Sequence, residues 1–231
     1  MSVLVLGGRG GLGASVVNSL TKEGVPLRYT SRSPTGGDDR ELACEMSNPA
    51  SLAACARCAI DELGQVKALV VMAGTMRDGL LISADPAALD EVIRVNLLGS
   101  MLAVQALLPH FIEHRYGRIV LVGSASGMRG SPGQANYAAS KAGLIGLARS
   151  VTLEYAKRGI TCNVISPGFI DAGMAAELSD KRRSDVLRQI PTNRLGRPEE
   201  IASAIKFLID DASGYITGSV LTVDGGYGMG Y

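Results

Sequence analysis

The sequence predicts a single α/β domain over residues 1–231, with one doubly wound parallel sheet and helices on both faces. Three observations predict it. Short apolar runs alternate with stretches of helical periodicity along the chain, the pattern of strands buried on both faces and joined by crossover helices. A glycine-rich turn separates the first apolar run from the first helical stretch. Finally, 46% of the residues are hydrophobic, only 4% are aromatic and 29 are glycine, which suits close helix-on-sheet packing rather than an aromatic-rich sandwich.

Each predicted element has a physical reason. The strands are Val3–Leu6, Leu27–Thr30, Lys67–Met72, Arg118–Val122, Thr161–Ile165 and Val220–Val223, apolar or β-branched for the most part. Helical spacing covers about Leu12–Glu23, Pro49–Leu63, Pro86–His114, Asn136–Lys157 and Pro198–Ile209. Ser47 or Asn48 starts the helix opened by Pro49, and Asp85 the one opened by Pro86, because a proline at the first helical position forfeits no hydrogen bond. Gly64, Gly117 and Gly159 stand behind their helices as stops. With strand and helix alternating throughout, the topology rules leave a Rossmann-like fold. The least regular segment, 168–191, is bracketed by Pro167 and Pro191 and carries the charged cluster Asp180–Asp185. It follows directly on the carboxyl end of a strand, where such sheets bind ligands, and is the candidate substrate lid.

Composition narrows the classes of function. A net charge of +1 gives no global field to gather nucleic acid or an anionic membrane, so any basic site must be local. Four scattered cysteines, Cys44, Cys55, Cys58 and Cys162, point to a reducing compartment rather than a disulfide framework. Cys55 and Cys58 form a CxxC in an Ala-rich helical stretch with no second ligand pair, which reads as packing. His110 and His114 share one side of a helix but lack a third ligand, which reads as a surface helix face; no metal site is expected. The first strand begins at Ser2–Val3, which leaves no room for a signal or transit peptide, and no apolar run reaches 18 residues, so a membrane span is not expected either.

The chemistry concentrates in three places. Gly7, Gly10, Gly11 and Gly13, with Arg9 and Leu12 between them, follow the first strand and open the first helix. Such a turn lets backbone amides and the positive helix end approach a pyrophosphate. At the end of the second strand, an acidic residue would bond the ribose 2′-hydroxyl of NAD and a basic one the 2′-phosphate of NADP. Here the chain reads Tyr29-Thr30-Ser31-Arg32-Ser33, so Arg32, helped by Arg9, argues for NADP(H). In Tyr137-Ala-Ala-Ser-Lys141 the helical spacing brings an ammonium toward a phenol, expected to lower the phenol's pKa and make it usable as an acid/base. Ser124, thirteen residues before Tyr137 at the end of a strand, can join the phenol around a carbonyl oxygen.

With Asn96 included, Gly7/Gly11/Gly13, Ser124, Tyr137 and Lys141 resemble the short-chain dehydrogenase/reductase family over the whole chain. Met76-Arg-Asp-Gly-Leu-Leu81, Gly133-Gln-Ala-Asn-Tyr-Ala-Ala-Ser-Lys141, Pro167-Gly-Phe-Ile170 and Tyr215-Ile-Thr-Gly218 are similar to 3-oxoacyl-[acyl-carrier-protein] reductases and the related carbonyl reductase subunit of mitochondrial fatty-acid synthesis. The resemblance implies NADPH, a β-keto thioester substrate, a homotetramer or heterotetramer, and a place in the cytoplasm or, alternatively, the mitochondrial matrix. It makes Tyr137 the proton donor, Ser124 the carbonyl-orienting group, Lys141 the pKa-lowering cation and a ribose ligand, and Asn96 the holder of a relay water. Cofactor contacts are further implied for Glu45, Met46, Ala73, Gly74, Pro167, Gly168 and Ile170. Arg115 and Arg158 match the arginines that dock an acidic acyl carrier protein in bacterial members, which predicts a basic patch beside the mouth of the site.

Three positions depart from the family pattern: Val71-Met72 replaces two asparagines, Ala172 a threonine, and Leu6 a threonine. Each loss weakens positioning rather than chemistry. Two other readings stay open: a reductase of a quinone, steroid or other free carbonyl compound, which the lid sequence does not separate from the first, and, motivated by the three departures, a weakly active cofactor-binding subunit of a hetero-oligomer.

Overall fold

A computed structural model describes residues 1–172 and 180–229. Seven strands make one sheet: β1 (Val3–Leu6), β2 (Leu27–Ser31), β3 (Glu41–Ala43), β4 (Ala68–Val71), β5 (Gly117–Val122), β6 (Ile160–Pro167) and β7 (Val220–Val223). Their order is β3-β2-β1-β4-β5-β6-β7 and all pairings are parallel. The chain order reverses between β1 and β4, so the crevice for a ligand opens beyond the carboxyl ends of those two strands.

The alternation of side chains along each strand divides the core. Leu4, Leu6, Leu69, Val71, Ile119 and Leu121 face α2 (Pro49–Leu63), α4 (Gly99–His114) and α6 (Ala135–Tyr155). Val3, Val5, Ala68, Val70, Val120 and Val122 face α1 (Gly11–Lys22) and α8 (Pro198–Ile209). Asn48 caps α2 by accepting from the amides of Ala50 (2.9 Å) and Ser51 (3.2 Å), and Asp85 caps α3 (Pro86–Ile93) by accepting from Ala87 (3.0 Å).

Several expectations are corrected. The short edge strand β3 was not predicted. The helix expected over Pro86–His114 is α3, a π-helical turn at Arg94–Leu98, and α4. By length and mean hydropathy (1.5) that stretch is apolar enough to cross a membrane, contrary to the sequence reading. Its apolar side is nevertheless taken up by protein, with Ala103, Val104, Leu107 and Phe111 buried in the core against α2, β4 and β5. His110 is not a surface residue: it is buried, and its Nε2 accepts from the Val66 amide at 3.2 Å. Gly117 begins β5, and the left-handed stop after α4 is Arg115 (φ 49°). Two short helices, α5 (Ala125–Arg129) and α7 (Asp180–Leu187), were also unanticipated. Part of the candidate lid, 173–179, lies outside the described residues.

Candidate active site

A cleft of about 1100 Å³ runs along the carboxyl ends of the strands, and every residue assigned to the cofactor from the sequence lines it. At one end, the glycine turn is shaped by close packing. A Cβ on Gly7 (φ +87°) would lie 2.6 Å from the Ala73 backbone nitrogen, and one on Gly13 would lie 2.1 Å from the Gly7 carbonyl oxygen. Gly10, by contrast, faces open space. Helix α1 has no side-chain cap and no acid in its first turn, so its positive end is left for an anion. The turn therefore fits a pyrophosphate.

The adenosine end adds residues that the sequence did not single out. Ser31 lines the cleft with a buried hydroxyl that has no hydrogen-bond partner among the described residues, an orphan that a ribose or phosphate oxygen would satisfy. Arg32 lines the cleft beside it, with no ion-pair partner among the described residues. Arg9 is less free than expected: it donates to the Ser33 carbonyl at 2.6 Å and lies 3.6 Å from the carboxylate of Glu41. The unpredicted β3 is the cause, because its pairing of Tyr29 with Glu41 sets that acid beside the middle of β2, within reach of Arg9. Glu45 keeps one carboxylate oxygen on the amide and hydroxyl of Ser47, at 3.3 and 3.0 Å.

At the catalytic end, β5 delivers Ser124 to the start of α5, where its oxygen accepts from the Ser126 amide at 3.1 Å. Helix α6 delivers Tyr137 and Lys141 one turn apart. Burial raises the Tyr137 phenol above its ordinary range, the hydrogen bond with Ser124 lowers it in part, and the charge of Asp78 raises it again. The net direction is up, against the lowering expected from Lys141. The ammonium lies 5.7 Å from the centre of the phenol ring, donates to the Val122 carbonyl at 2.8 Å, and is itself brought down to about 8 by burial. A cation that titrates so low lends the phenolate less charge.

Asn96 lies behind the cleft, fully buried in the π-helical turn. It accepts from the Thr75 amide (2.7 Å) and donates to the Thr75 carbonyl (2.9 Å) and to Ser140 Oγ (3.0 Å). Both amide hydrogens are thus committed, and the relay water expected of Asn96 cannot be bound through them. Its side chain ties the loop after β4 to α6; a Cβ on Gly74 would lie 3.1 Å from Asn96 Oδ1 and 3.4 Å from Lys141 Nζ.

Arg115 and Arg158 are neighbours, since Arg115 donates to the carbonyl of Lys157 at 3.3 Å. They are not beside the mouth of the cleft. Arg115 precedes β5 and Ser124 follows it, so at a rise of ~3.3 Å per residue the strand separates them by about 20 Å. Both arginines belong to the end of the sheet opposite the cleft.

A dinucleotide crevice joined to a serine, a tyrosine and a buried lysine defines an oxidoreductase that uses a nicotinamide cofactor. The chain belongs to the short-chain dehydrogenase/reductase family: residues 10–228 match the family model described as enoyl-(acyl carrier protein) reductase. It is 39% identical to a 3-oxoacyl-[acyl-carrier-protein] reductase of Vibrio cholerae, over 98% of this chain and 96% of that one. It is 38% identical to a 3-oxoacyl-[acyl-carrier-protein] reductase of Mycobacterium avium, covering 100% of this chain and 91% of the relative, and 37% identical to an acetoacetyl-CoA reductase of Synechocystis, covering 97% and 95%.

Proposed function

We propose that this chain reduces a 3-oxoacyl thioester on an acyl carrier protein to the 3-hydroxyacyl form, using NADPH. The observation that carries the reading is the convergence of Ser124, Tyr137 and Lys141 in one end of a cleft whose other end presents Arg32, Arg9 and the unpartnered Ser31 hydroxyl. When bound, the reduced nicotinamide supplies the hydride that reaches the substrate's carbonyl carbon. Gly7 to Gly13 would hold the pyrophosphate, Lys141 the nicotinamide ribose, and Arg32 with Ser31 the 2′-phosphate.

The protein's own part is to hold the carbonyl and give one proton. Because burial raises the Tyr137 phenol, it is protonated at neutral pH and serves as a donor to the developing alkoxide oxygen. Ser124 keeps its oxygen on the Ser126 amide, and its O–H, which faces Tyr137, would turn to the carbonyl oxygen once substrate is bound. A coenzyme-A-linked substrate is a second reading, carried by the Synechocystis relative. The deciding experiment is NADPH turnover with acetoacetate linked to a carrier protein, to coenzyme A, and to N-acetylcysteamine. Carrier-linked substrate is expected to give the highest kcat/KM, and reduction of a free quinone or steroid carbonyl with none of the thioesters would overturn the proposal.

A further inference from the structure

Ser124 is delivered by a helix too short to hold itself. α5 has five residues, Ala125–Arg129, with Gly127 inside it and Gly130 (φ +77°) ending it. Such a helix is unfavourable alone, because the hydrogen bonds it gains do not offset the dihedrals it fixes. Packing supplies part of what is missing: a Cβ on Gly127 would lie 2.9 Å from the Ala142 backbone nitrogen, so α5 rests directly on α6. The Ser124 oxygen is held in turn by the Ser126 amide at 3.1 Å, and its place depends on where the first turn of α5 is pinned.

The pin is a relay of side chains. The Ser126 hydroxyl donates to Gln134 Oε1 at 3.2 Å, while Gln134 Nε2 donates to Asp78 Oδ1 at 3.2 Å and to the Met76 sulfur at 3.0 Å. The Gln134 amide can stand only one way round. A carboxylate and a thioether accept and do not donate, so the amide nitrogen faces them, the amide oxygen faces Ser126, and the Ser126 hydroxyl must donate. Gln134 is itself fixed at the start of α6, where its backbone amide donates to the Ser131 carbonyl at 3.0 Å and its carbonyl accepts from the Ala138 amide at 2.8 Å. The loop that carries Met76 and Asp78 is tied to the same segment. The Gly79 amide donates to the Gly133 carbonyl at 2.9 Å, and Asn136 Nδ2 donates to the Arg77 carbonyl at 3.1 Å. One side chain therefore links α5, the start of α6 and the loop after β4, and Ser126, Gln134, Asp78 and Met76 all line the cleft.

We propose that Ser126 and Gln134 are positioning residues for Ser124: through them Asp78 fixes the first turn of α5 and, with it, the direction in which the Ser124 oxygen meets a substrate carbonyl. Without the relay, Ser124 would follow the motions of a five-residue helix, and a misplacement of about 1 Å can cost ~10²-fold in rate. The inference rests on the assignment of Ser124 to the substrate's carbonyl oxygen. It does not require Ser126 or Gln134 to touch the substrate.

The experiment is a double-mutant cycle on Ser124→Ala and Ser126→Ala, with Ser126→Thr and Gln134→Ala beside it. Each protein is saturated with NADPH and mixed with the N-acetylcysteamine thioester of acetoacetate, and the single-turnover rate of NADPH oxidation is read. Ser126→Ala should slow that rate by about two- to tenfold, the range that one lost hydrogen bond corresponds to, with the Kd for NADPH within about twofold. Gln134→Ala loses both ties and should be slowed at least as much, whereas Ser126→Thr keeps the hydroxyl and should recover most of the rate. In the Ser124→Ala background, Ser126→Ala should slow the reaction no further, because both changes act on one oxygen. A general loosening of the fold would slow both backgrounds alike, and that result overturns the inference. So would an unchanged rate in Ser126→Ala, a steady-state effect confined to KM, or a smaller loss in Gln134→Ala than in Ser126→Ala. The single variants separate the inference from its premise: a wild-type rate in Ser124→Ala removes the assignment of Ser124, whereas a slow Ser124→Ala beside an unaffected Ser126→Ala removes the positioning role alone. If the unaltered protein reduces a quinone or steroid carbonyl and no thioester, the thioester reading falls and the same cycle on that compound decides the inference.

Discussion

Replacing Lys141 with methionine should make the cofactor-free protein more stable at neutral pH even as it removes activity. The lysine is 5% exposed, and its one hydrogen bond among the described residues is to the Val122 carbonyl. Burial moves its pKa from 10.5 to about 8, which corresponds to a penalty of about 3 kcal/mol for keeping the side chain charged. The folded value lies below the unfolded one, so between about pH 8 and 10.5 the unfolded chain binds more protons, and wild-type stability rises with pH across that window. Below it the penalty is complete; above it the penalty is gone. Methionine removes the penalty at every pH but leaves the Val122 carbonyl without its donor, a loss of about 1–3 kcal/mol. The variant should therefore gain about 1 kcal/mol near neutral pH and fall below the wild type by about 1–3 kcal/mol once Lys141 is neutral in both states. Urea unfolding with linear extrapolation, run without cofactor at neutral pH and at steps through the window, measures the difference. A difference between the two proteins that stays constant across the whole range would refute the burial penalty.

Tyr137→Phe should lower kcat by at least ~10²–10⁴ while NADPH binding, followed by cofactor fluorescence, persists; wild-type turnover would exclude Tyr137 as the proton donor. The unaltered protein should prefer NADPH to NADH in kcat/KM, and Arg32→Asp should narrow or reverse the gap, whereas equal use of both cofactors by the wild type contradicts the assignment of Arg32. Burial, reinforced by the nearby His114, holds the His110 imidazole below its ordinary range, so its contribution to stability is complete above the unfolded value and is lost as pH falls through the lower folded one. His110→Gln should flatten the fall in stability below about pH 6.5, and identical pH slopes for both proteins would show that another group is responsible.

Much of the fold was readable because its signals are local. Runs such as Val3–Leu6 are apolar on both faces, and Asn48 and Asp85 announce their helices by hydrogen bonds that reach only two or three residues. β3 escaped because a strand of three residues at the sheet edge, beginning with Glu41, has neither the length nor the apolar content that marks the others. The same gap hid the Arg9–Glu41 contact, which only the pairing of β2 with β3 creates. His110 was misread for a related reason: its acceptor role depends on Val66, forty-four positions away in the chain. The nearness of Tyr137 and Lys141 was visible through spacing within one helix, but the electrostatics of the pair were not. Spacing shows that Lys141 lies near Tyr137, whereas burial, which raises the phenol and lowers the ammonium, is a property of the packed molecule.

The three departures from the family pattern show how packing accommodates a lost polar group. Leu6 and Val71 lie on adjacent strands and are both buried in the same hydrophobic core, where asparagine or threonine would need partners. The tie between β1 and β4 is made by backbone instead, since the amides of Met72 and Ala73 both donate to the Leu6 carbonyl at 2.9 Å. The Gly7 amide finds Thr30 Oγ1 at 3.1 Å, and the Gly8 amide the Thr30 carbonyl at 3.0 Å, so the start of the glycine turn is held from β2. Ala172 is different, because it lines the cleft itself and no neighbouring group stands in for a hydroxyl there by way of the backbone ties just described. The substitutions at Leu6 and Val71 are therefore absorbed by the scaffold, whereas Ala172 leaves the cleft lining with a methyl group in place of a hydroxyl.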